Sequence, residues 1–470
     1  MKLPNIRLMY EASGIMAGMR IPKSFLNAAF TLLLGSAVVS GVLPASAQEK
    51  LISDRVFLIP DAKSTSIQFQ MIVLAGSADE TNLDQLGIAH YLEHLVLVGR
   101  NPGQSETAQR FFADGSSNGW TNQRMTGYVH SFPASSADVP QRLDRLFKFY
   151  SERLSDFTIV PEEAVRERNV VRQEHDWRYA SNPQSAVWQD VSRFLYKGHP
   201  FESWTIGTPE TIGAFTLEES GNFLRRWYRK GNVYFLVTGP VSESLVKETA
   251  EKYLTALDSS PPPFRPWTTQ ALDLKPEAKE FRKAHRQIAN VSVSLQKMVP
   301  FTPQDRLRAI GTRVLVSSFL ASKLSGSPHS ALVEGDKPVA SAIVSAGIDL
   351  PLTGALSLSL GSVPEEGRTV DEQLKALRAY ISAFSAKGID AATLERLKRR
   401  FARDYQRSKD EPQNAPGRLI AWLSQPQPYE TLADLPAAVA AVSASDIHAM
   451  LKAFGSEGRE AVVIFEPKAD

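Results

Sequence analysis

At 470 residues the chain is too long for one ordinary hydrophobic core and long enough for two or three domains, two being the first expectation. Lysine plus arginine outnumber aspartate plus glutamate by only 53 to 51, which gives no reason to expect nucleic acid or an anionic membrane as the partner. There is no cysteine, so disulfides and thiolate chemistry are excluded and any metal ion must be held by His, Asp or Glu.

From the N-terminus, Met19 to Ala47 puts Arg20 and Lys23 ahead of an apolar stretch ending in Ala45-Ser46-Ala47, the layout of a secretory signal peptide cleaved after Ala47. Asn27, Gly35, Gly41 and Pro44 shorten its apolar core below a comfortable membrane span. Export to the periplasm is therefore expected rather than retention as an anchor, with translation starting at Met1 or Met19. Alternation of apolar and polar residues predicts strands at Val56 to Ile59 and Ile67 to Leu74, and a helix follows through Gly87 to Gly99, "GIAHYLEHLVLVG". Helical periodicity marks residues 138–155 and 161–182 and Leu217 to Tyr228, and Val233 to Thr238 reads as a buried strand. Asp258 to Lys279 is rich in Pro and Ser, lacks periodicity, and is the best linker in the chain.

Across that linker the chain repeats itself. At an offset of 227 residues, Thr216 to Gly239 aligns without gaps on Ser443 to Glu466, and Gly87 to Leu97 on Val314 to Leu324. The expected fold is α+β, built of two homologous halves, each an antiparallel-rich sheet packed with helices. Residues 1–47 are the signal peptide, 48–257 a catalytic half, 258–279 the linker and 280–470 the second half. Ser317, Leu320 and Ala321 stand where the first half has His90, Glu93 and His94, so only the first half keeps the polar set.

Those three residues spell H-x-x-E-H. On a helix His90 and His94 lie one turn apart and both imidazoles can grip a single ion, while Glu93 lies close enough to reach a water beside it. The flanking Ile88, Ala89, Leu92, Leu95, Val96 and Leu97 want a dry setting, where unpaired His and Glu would cost several kcal/mol; a metal ion satisfies them. A catalytic zinc commonly takes three protein ligands and leaves one position open. In "PEEAVRERNVVRQEHDWR", Glu167 and Glu174 are two turns apart on a face shared with Val170 and Val171. Glu174 is the candidate third ligand and Glu167 an acid that orients or tunes the site. His175 competes, but as the neighbour of Glu174 it points about a hundred degrees away around the helix.

With these segments in hand, the chain resembles the inverted-zinc-motif peptidases of the pitrilysin, insulin-degrading and mitochondrial processing group. "LGIAHYLEHLVLVG" is similar to their G-x-A-H-x-L-E-H segment and "ERNVVRQE" (Glu167 to Glu174) to their E-R-x-V-V-x-x-E block, whose last Glu is the third zinc ligand. "NGWTNQRMTGY" (Asn118 to Tyr128) resembles N-A-x-T-x-x-x-x-T-x-Y, and "GHPFESWTIGTPETI" (Gly198 to Ile212) a further block of the group. The resemblance implies one Zn²⁺ per chain on His90, His94 and Glu174, with Glu93 and Glu167 the catalytic acids and Glu93 the proton carrier. It implies an extended peptide added to a sheet edge, with Asn118, Trp120 and Tyr128 binding substrate and the two halves enclosing a peptide chamber. Trp120 and Arg124 are expected on its wall, favouring apolar or acidic side chains. A homodimer, or a heterodimer with a related chain, is expected from the size of the mature chain, and a non-catalytic partner or a zinc-sequestering protein are the rival functions. Three departures stand out: a small insertion expected around Asn101 to Ser117, Gly119 in place of the usual Ala, read as a mild change, and "SSFLASKL" with Lys323 where the second half usually carries Gly-Gly-x-x-S-R-L.

Overall fold

Alternation decides the central strand of the first half. In β3 (Ser66–Val73), Ile67, Phe69, Met71 and Val73 are fully buried on one face, as period-two spacing requires. The computed structural model describes residues 49–468 apart from 81–82, 100–114, 156, 203, 262, 352–353 and 425–433. The export segment expected over 1–47, and the expected insertion as far as residue 114, lie outside the described residues.

The first half runs β1 (Lys50–Ser53), β2 (Val56–Pro60), β3, α1 (Ile88–Val98), β4 (Ser116–Thr121), β5 (Thr126–Pro133), α2 (Val139–Ser155), α3 (Pro161–His175), α4 (Leu217–Trp227) and β6 (Val233–Gly239). Its sheet order is β1-β2-β6-β3-β5-β4, with β2 and β6 parallel and every other pair antiparallel. The second half runs β7 (Glu277–His285), β8 (Ser292–Pro300), α5 (Arg306–Leu320), β9 (Ala340–Asp349), β10 (Ala355–Pro364), α6 (Val370–Lys387), α7 (Ala391–Asp410), α8 (Ala444–Lys452) and β11 (Arg459–Pro467). Its order is β7-β11-β8-β10-β9, again with one parallel pair, β7 and β11. Setting β1 aside, the two sheets have the same order and the same strand directions, so the fold is α+β with an internal duplication.

One expected element is broken. The helix read over 161–182 is α-helical only to His175; Asp176–Ala180 form a wider π-type turn, and a new helix starts at Pro183. Proline at 183 disfavours helical backbone at Asn182, whose side chain instead accepts the N–H groups of Gln184 and Ser185.

The halves are welded together. Val191, Phe194 and Phe201 of the first share an apolar cluster with Phe281, Met298 and Phe465 of the second, and Phe57, Ile59 and Leu236 share another with Leu419 and Leu423. Buried Arg459 donates to the carbonyls of Leu195 (2.9 Å) and Asp273 (2.6 Å). Within 258–279, Trp267 is buried and donates its indole N–H to Asp79 at 2.9 Å, which Arg265 also grips through two bonds. No helix among the described residues is long and apolar enough to cross a membrane.

Candidate metal centre

The helix bearing the motif is tied at both ends by side chains from elsewhere. Gly87 precedes α1 with φ at 94°, and a Cβ there would meet the Ile206 carbonyl at 2.4 Å, so glycine is required. The Glu80 carboxylate accepts the N–H groups of Gly87 and Ala89, each at 3.1 Å, and so serves the unpaired donors of the first turn. At the far end buried Arg153 of α2 donates to the carbonyls of Val96 (2.7 Å) and Gly99 (2.6 Å). The Tyr91 hydroxyl donates to the Ala164 carbonyl at 2.7 Å and fixes α1 against α3.

Held this way, α1 presents the rings of His90 and His94 with centroids 4.9 Å apart, and α3 brings a carboxylate to both. Glu174 Oε2 lies 3.5 Å from His90 Nε2 and 3.3 Å from His94 Nε2. Donors placed tetrahedrally around zinc stand roughly 3.3 to 3.6 Å from one another. These contacts have that spacing, so the donor set fits such an ion. Behind His94, Glu167 Oε2 lies 3.4 Å from Nδ1, while Glu167 Oε1 accepts from Arg166 at 2.9 Å. A carboxylate behind an imidazole is the usual support of a metal-binding histidine. His90 Nδ1 is buried with no hydrogen-bond partner among the described residues.

Glu93 is the rival third ligand, since His90, Glu93 and His94 offer donor atoms within 4.8 Å of one another. Distance and partner argue against it. Glu93 Oε2 is 3.9 Å from His90 Nε2 and accepts the Thr121 hydroxyl at 2.7 Å. Its other oxygen leans over Gly119, where a Cβ would lie 2.4 Å away. With Glu93 in this rotamer, the glycine at 119 leaves room for its carboxylate.

Electrostatics separate the roles. Burial and the charge of His94 hold His90 down at about 3, so its lone pair is free. Burial opposes ionisation of Glu174, but the His94 hydrogen bond and the charges of His90 and Arg178 outweigh it and keep this carboxyl at about 2. Burial pushes Glu93 up to about 7, against His94 and Thr121, where a carboxylate can both take and return a proton. Burial likewise works against a charged His94, yet its bonds to Glu167 and Glu174 carry it up to about 10, so a cation entering here displaces a proton.

The remaining expected residues separate. Asn118 is exposed on β4, the outer strand of its sheet, with its side-chain oxygen taken by the Gly119 N–H at 3.0 Å. Trp120 lies across Gly127, where a Cβ would be 2.3 Å from the indole. Tyr128 is fully buried and its hydroxyl meets that of Tyr228 at 2.7 Å, so it is not brought to the cluster's surface. Arg124, expected on the chamber wall, instead turns into the second half, donating to the Ser424 carbonyl at 2.9 Å and to the Pro351 carbonyl. His175 stacks on Trp204 and packs at a tilt against Tyr179. Sequence reasoning passed over Thr121, although it lies within the quoted "NGWTNQRMTGY". It also passed over Arg178, whose Nη2 is 2.5 Å from Glu174 Oε1 and whose signal was its place four residues after Glu174. In the second half, Leu320 is packed in the core and the Ser317 hydroxyl bonds to the Ile348 carbonyl at 3.0 Å, so ordinary packing stands where the cluster would be.

Among the described residues, the duplicated sheet-and-helix unit carries two imidazoles and a shared carboxylate in its first copy alone. Two family profiles match it in succession: "Insulinase (Peptidase family M16)" over residues 55–209 and "Peptidase M16 inactive domain" over 214–401. The chain belongs to the insulinase (M16) peptidase family. It is similar to the zinc protease PqqE of Helicobacter pylori, 28% identical over 198 residues that cover 42% of this chain and 43% of that one. It spans less than half the length of the curated relatives it matches first. Its fold is that of a protease from Helicobacter pylori (TM-score 0.69, 20% identity, 90% of this chain and 100% of that one). The same holds for the periplasmic protease PqqL from Escherichia coli (TM-score 0.71, 16% identity, 92% and 48%).

Proposed function

We propose that this chain is an exported, zinc-dependent endopeptidase acting on extended peptides. The observation that carries the reading is the placing of Glu174 Oε2 3.5 and 3.3 Å from the Nε2 atoms of His90 and His94, with the Glu93 carboxylate beside them. His90, His94 and Glu174 would hold the ion, and Glu167 would orient His94. A zinc ion there supplies a Lewis acid that acidifies water and polarises a peptide carbonyl. Glu93 accepts the proton of the attacking water and returns it to the leaving amine, a role suited to a carboxyl pushed up to about 7. Asn118, on the outer strand β4, lies where an extended substrate would add to the sheet, with Trp120 the further substrate-binding assignment, while Tyr128, buried against Tyr228, is set aside from that role. Export and cleavage after Ala47 to a periplasmic chain beginning at Gln48 belong to the same proposal, as does the division into halves at 48–257 and 280–470 around a chamber that admits peptides and excludes folded proteins.

The test is a peptide-library digest with metal analysis. The wild-type chain should hold one zinc and cut peptides, Glu93→Gln should hold zinc and cut nothing, and His90→Ala or His94→Ala should lose the ion. Two ions per chain, or hydrolysis that survives both a chelator and Glu93→Gln, would sink the reading.

A second reading, one subunit of a homodimeric or heteromeric peptidase, is favoured by similarity to a chain of Schizosaccharomyces pombe described as a probable mitochondrial-processing peptidase subunit beta, 28% identical over 189 residues. Zinc-loaded protein that is inert alone and active once a related chain is added supports it.

A further inference from the structure

Both carboxylates of α3 that face the imidazoles are gripped from behind by guanidinium groups. Glu167 turns Oε2 to His94 and gives Oε1 to Arg166. Glu174 turns Oε2 to His90 and His94, and its Oε1 lies 2.5 Å from Arg178 Nη2. We propose that Arg178 is a positioning residue that restricts Glu174 to a single oxygen facing the ion site. The inference rests on the zinc reading of that site.

A free carboxylate can close on an ion with both oxygens, and a catalytic zinc needs one position left for water or substrate. The guanidinium engages the oxygen that would otherwise take that position, and its planar donors orient the carboxylate rather than merely attract it. Backbone geometry delivers it. Residues 176–180 leave the α-helix in a π-type turn that begins two residues after Glu174, a distortion that recurs at functional sites, and Arg178 lies within it. The pair is reached from the solvent side: Arg178 is 49% exposed and Glu174 21%, so the arginine can be changed without opening the core.

The experiment loads the full chain with Co²⁺ and compares wild type, Arg178→Gln and Arg178→Lys by visible absorption, with Zn²⁺ affinity measured by competition with a chelating dye. Wild type should show the intense d–d bands of a four-coordinate ion. In Arg178→Gln the molar absorption should fall by about twofold or more as Oε1 joins the ion, with Zn²⁺ affinity held or raised, and Arg178→Lys should recover part of the intensity. A spectrum unchanged in Arg178→Gln overturns the assignment, and a Zn²⁺ affinity that falls with that unchanged spectrum marks Arg178 as a merely structural residue. Wild type that takes up neither Co²⁺ nor Zn²⁺ overturns this inference together with the zinc reading. Wild type that loads and gives the expected spectra but cuts no peptide, alone or with a related chain added, overturns the peptidase reading alone.

Discussion

Thr121 Oγ1 donates a 2.7 Å hydrogen bond to Glu93 Oε2, joining the last residue of the outer strand β4 to the motif helix. The bond fixes which way the buried carboxylate points, and misplacing a reacting group by about 1 Å costs on the order of a hundredfold in rate. Thr121→Val should lower kcat by roughly ten- to a hundredfold with KM and zinc content little changed, and Thr121→Ser should restore most of it. Steady-state kinetics on one peptide measure this; equal kcat in Thr121→Val and wild type would remove Thr121 from the mechanism.

Gly119 makes a second prediction on the same carboxylate. A Cβ at this position would fall 2.4 Å from Glu93 Oε1 and 2.8 Å from its Cγ, inside any real contact. The obstructed atoms belong to a side chain that can swing, so Gly119→Ala should fold with little loss of stability while displacing Glu93. The expected result is a normal unfolding midpoint, a full complement of zinc and a kcat lowered by about tenfold or more. A variant as active as wild type would mean that the Glu93 side chain shifts past the methyl group without loss, as the Ala usual at this place in the resembled peptidases implies.

Much of this architecture is legible in the sequence because it is periodic. The i, i+4 spacing of His90 and His94, the two-turn spacing of Glu167 and Glu174, and the alternation in Ile67 to Leu74 each map directly onto one face of one element. The duplication is legible for the same reason: a fixed offset brings like elements together, and the two sheets share their order. What stays hidden is the direction of single polar side chains at long range. Arg124 meets Ser424 across 300 residues and Thr121 meets Glu93 across 28, and no local pattern encodes either. Tyr128 sits inside a recognisable block, yet burial sends its hydroxyl to Tyr228, a partner 100 residues away. The π-type turn is hidden too, because helical periodicity runs through Asp176 to Ala180 while Pro183 decides where the helix can no longer continue.

Arg153 offers a stability test of the motif helix. It is 2% exposed, donates to the carbonyls of Val96, Gly99 and Phe149, and lies over the Phe149 ring at 3.2 Å. Arg153→Met keeps volume and removes every donor, leaving buried carbonyls at the end of α1 unpaired. The expected loss is about 3 to 5 kcal/mol, read as a lower urea midpoint for the chelated chain. A loss within experimental error would show that water replaces the guanidinium there.

His130 sets a pH dependence whose sign follows from its burial. It is fully buried, with Nδ1 2.8 Å from the Ser117 hydroxyl and Nε2 against the Tyr150 hydroxyl. Burial, helped by the charge of Arg153, lowers it to about 3, while in the unfolded chain it titrates near 6.5. Between those values the unfolded chain carries a proton that the folded chain refuses, so stability is complete above about pH 6.5 and is lost as pH falls toward 3, by about 1.4 kcal/mol per unit. His199, lowered by burial to about 4, adds a second slope over a narrower range. Denaturant midpoints of the chelated protein between pH 4 and 8 should therefore fall on the acid side. His130→Gln should reduce the slope between pH 4 and 6 by the equivalent of one proton, whatever it does to stability at pH 8. Because chelation removes the metal from both proteins, the difference in slope belongs to His130, and parallel curves would mean that this histidine takes up a proton without unfolding the chain.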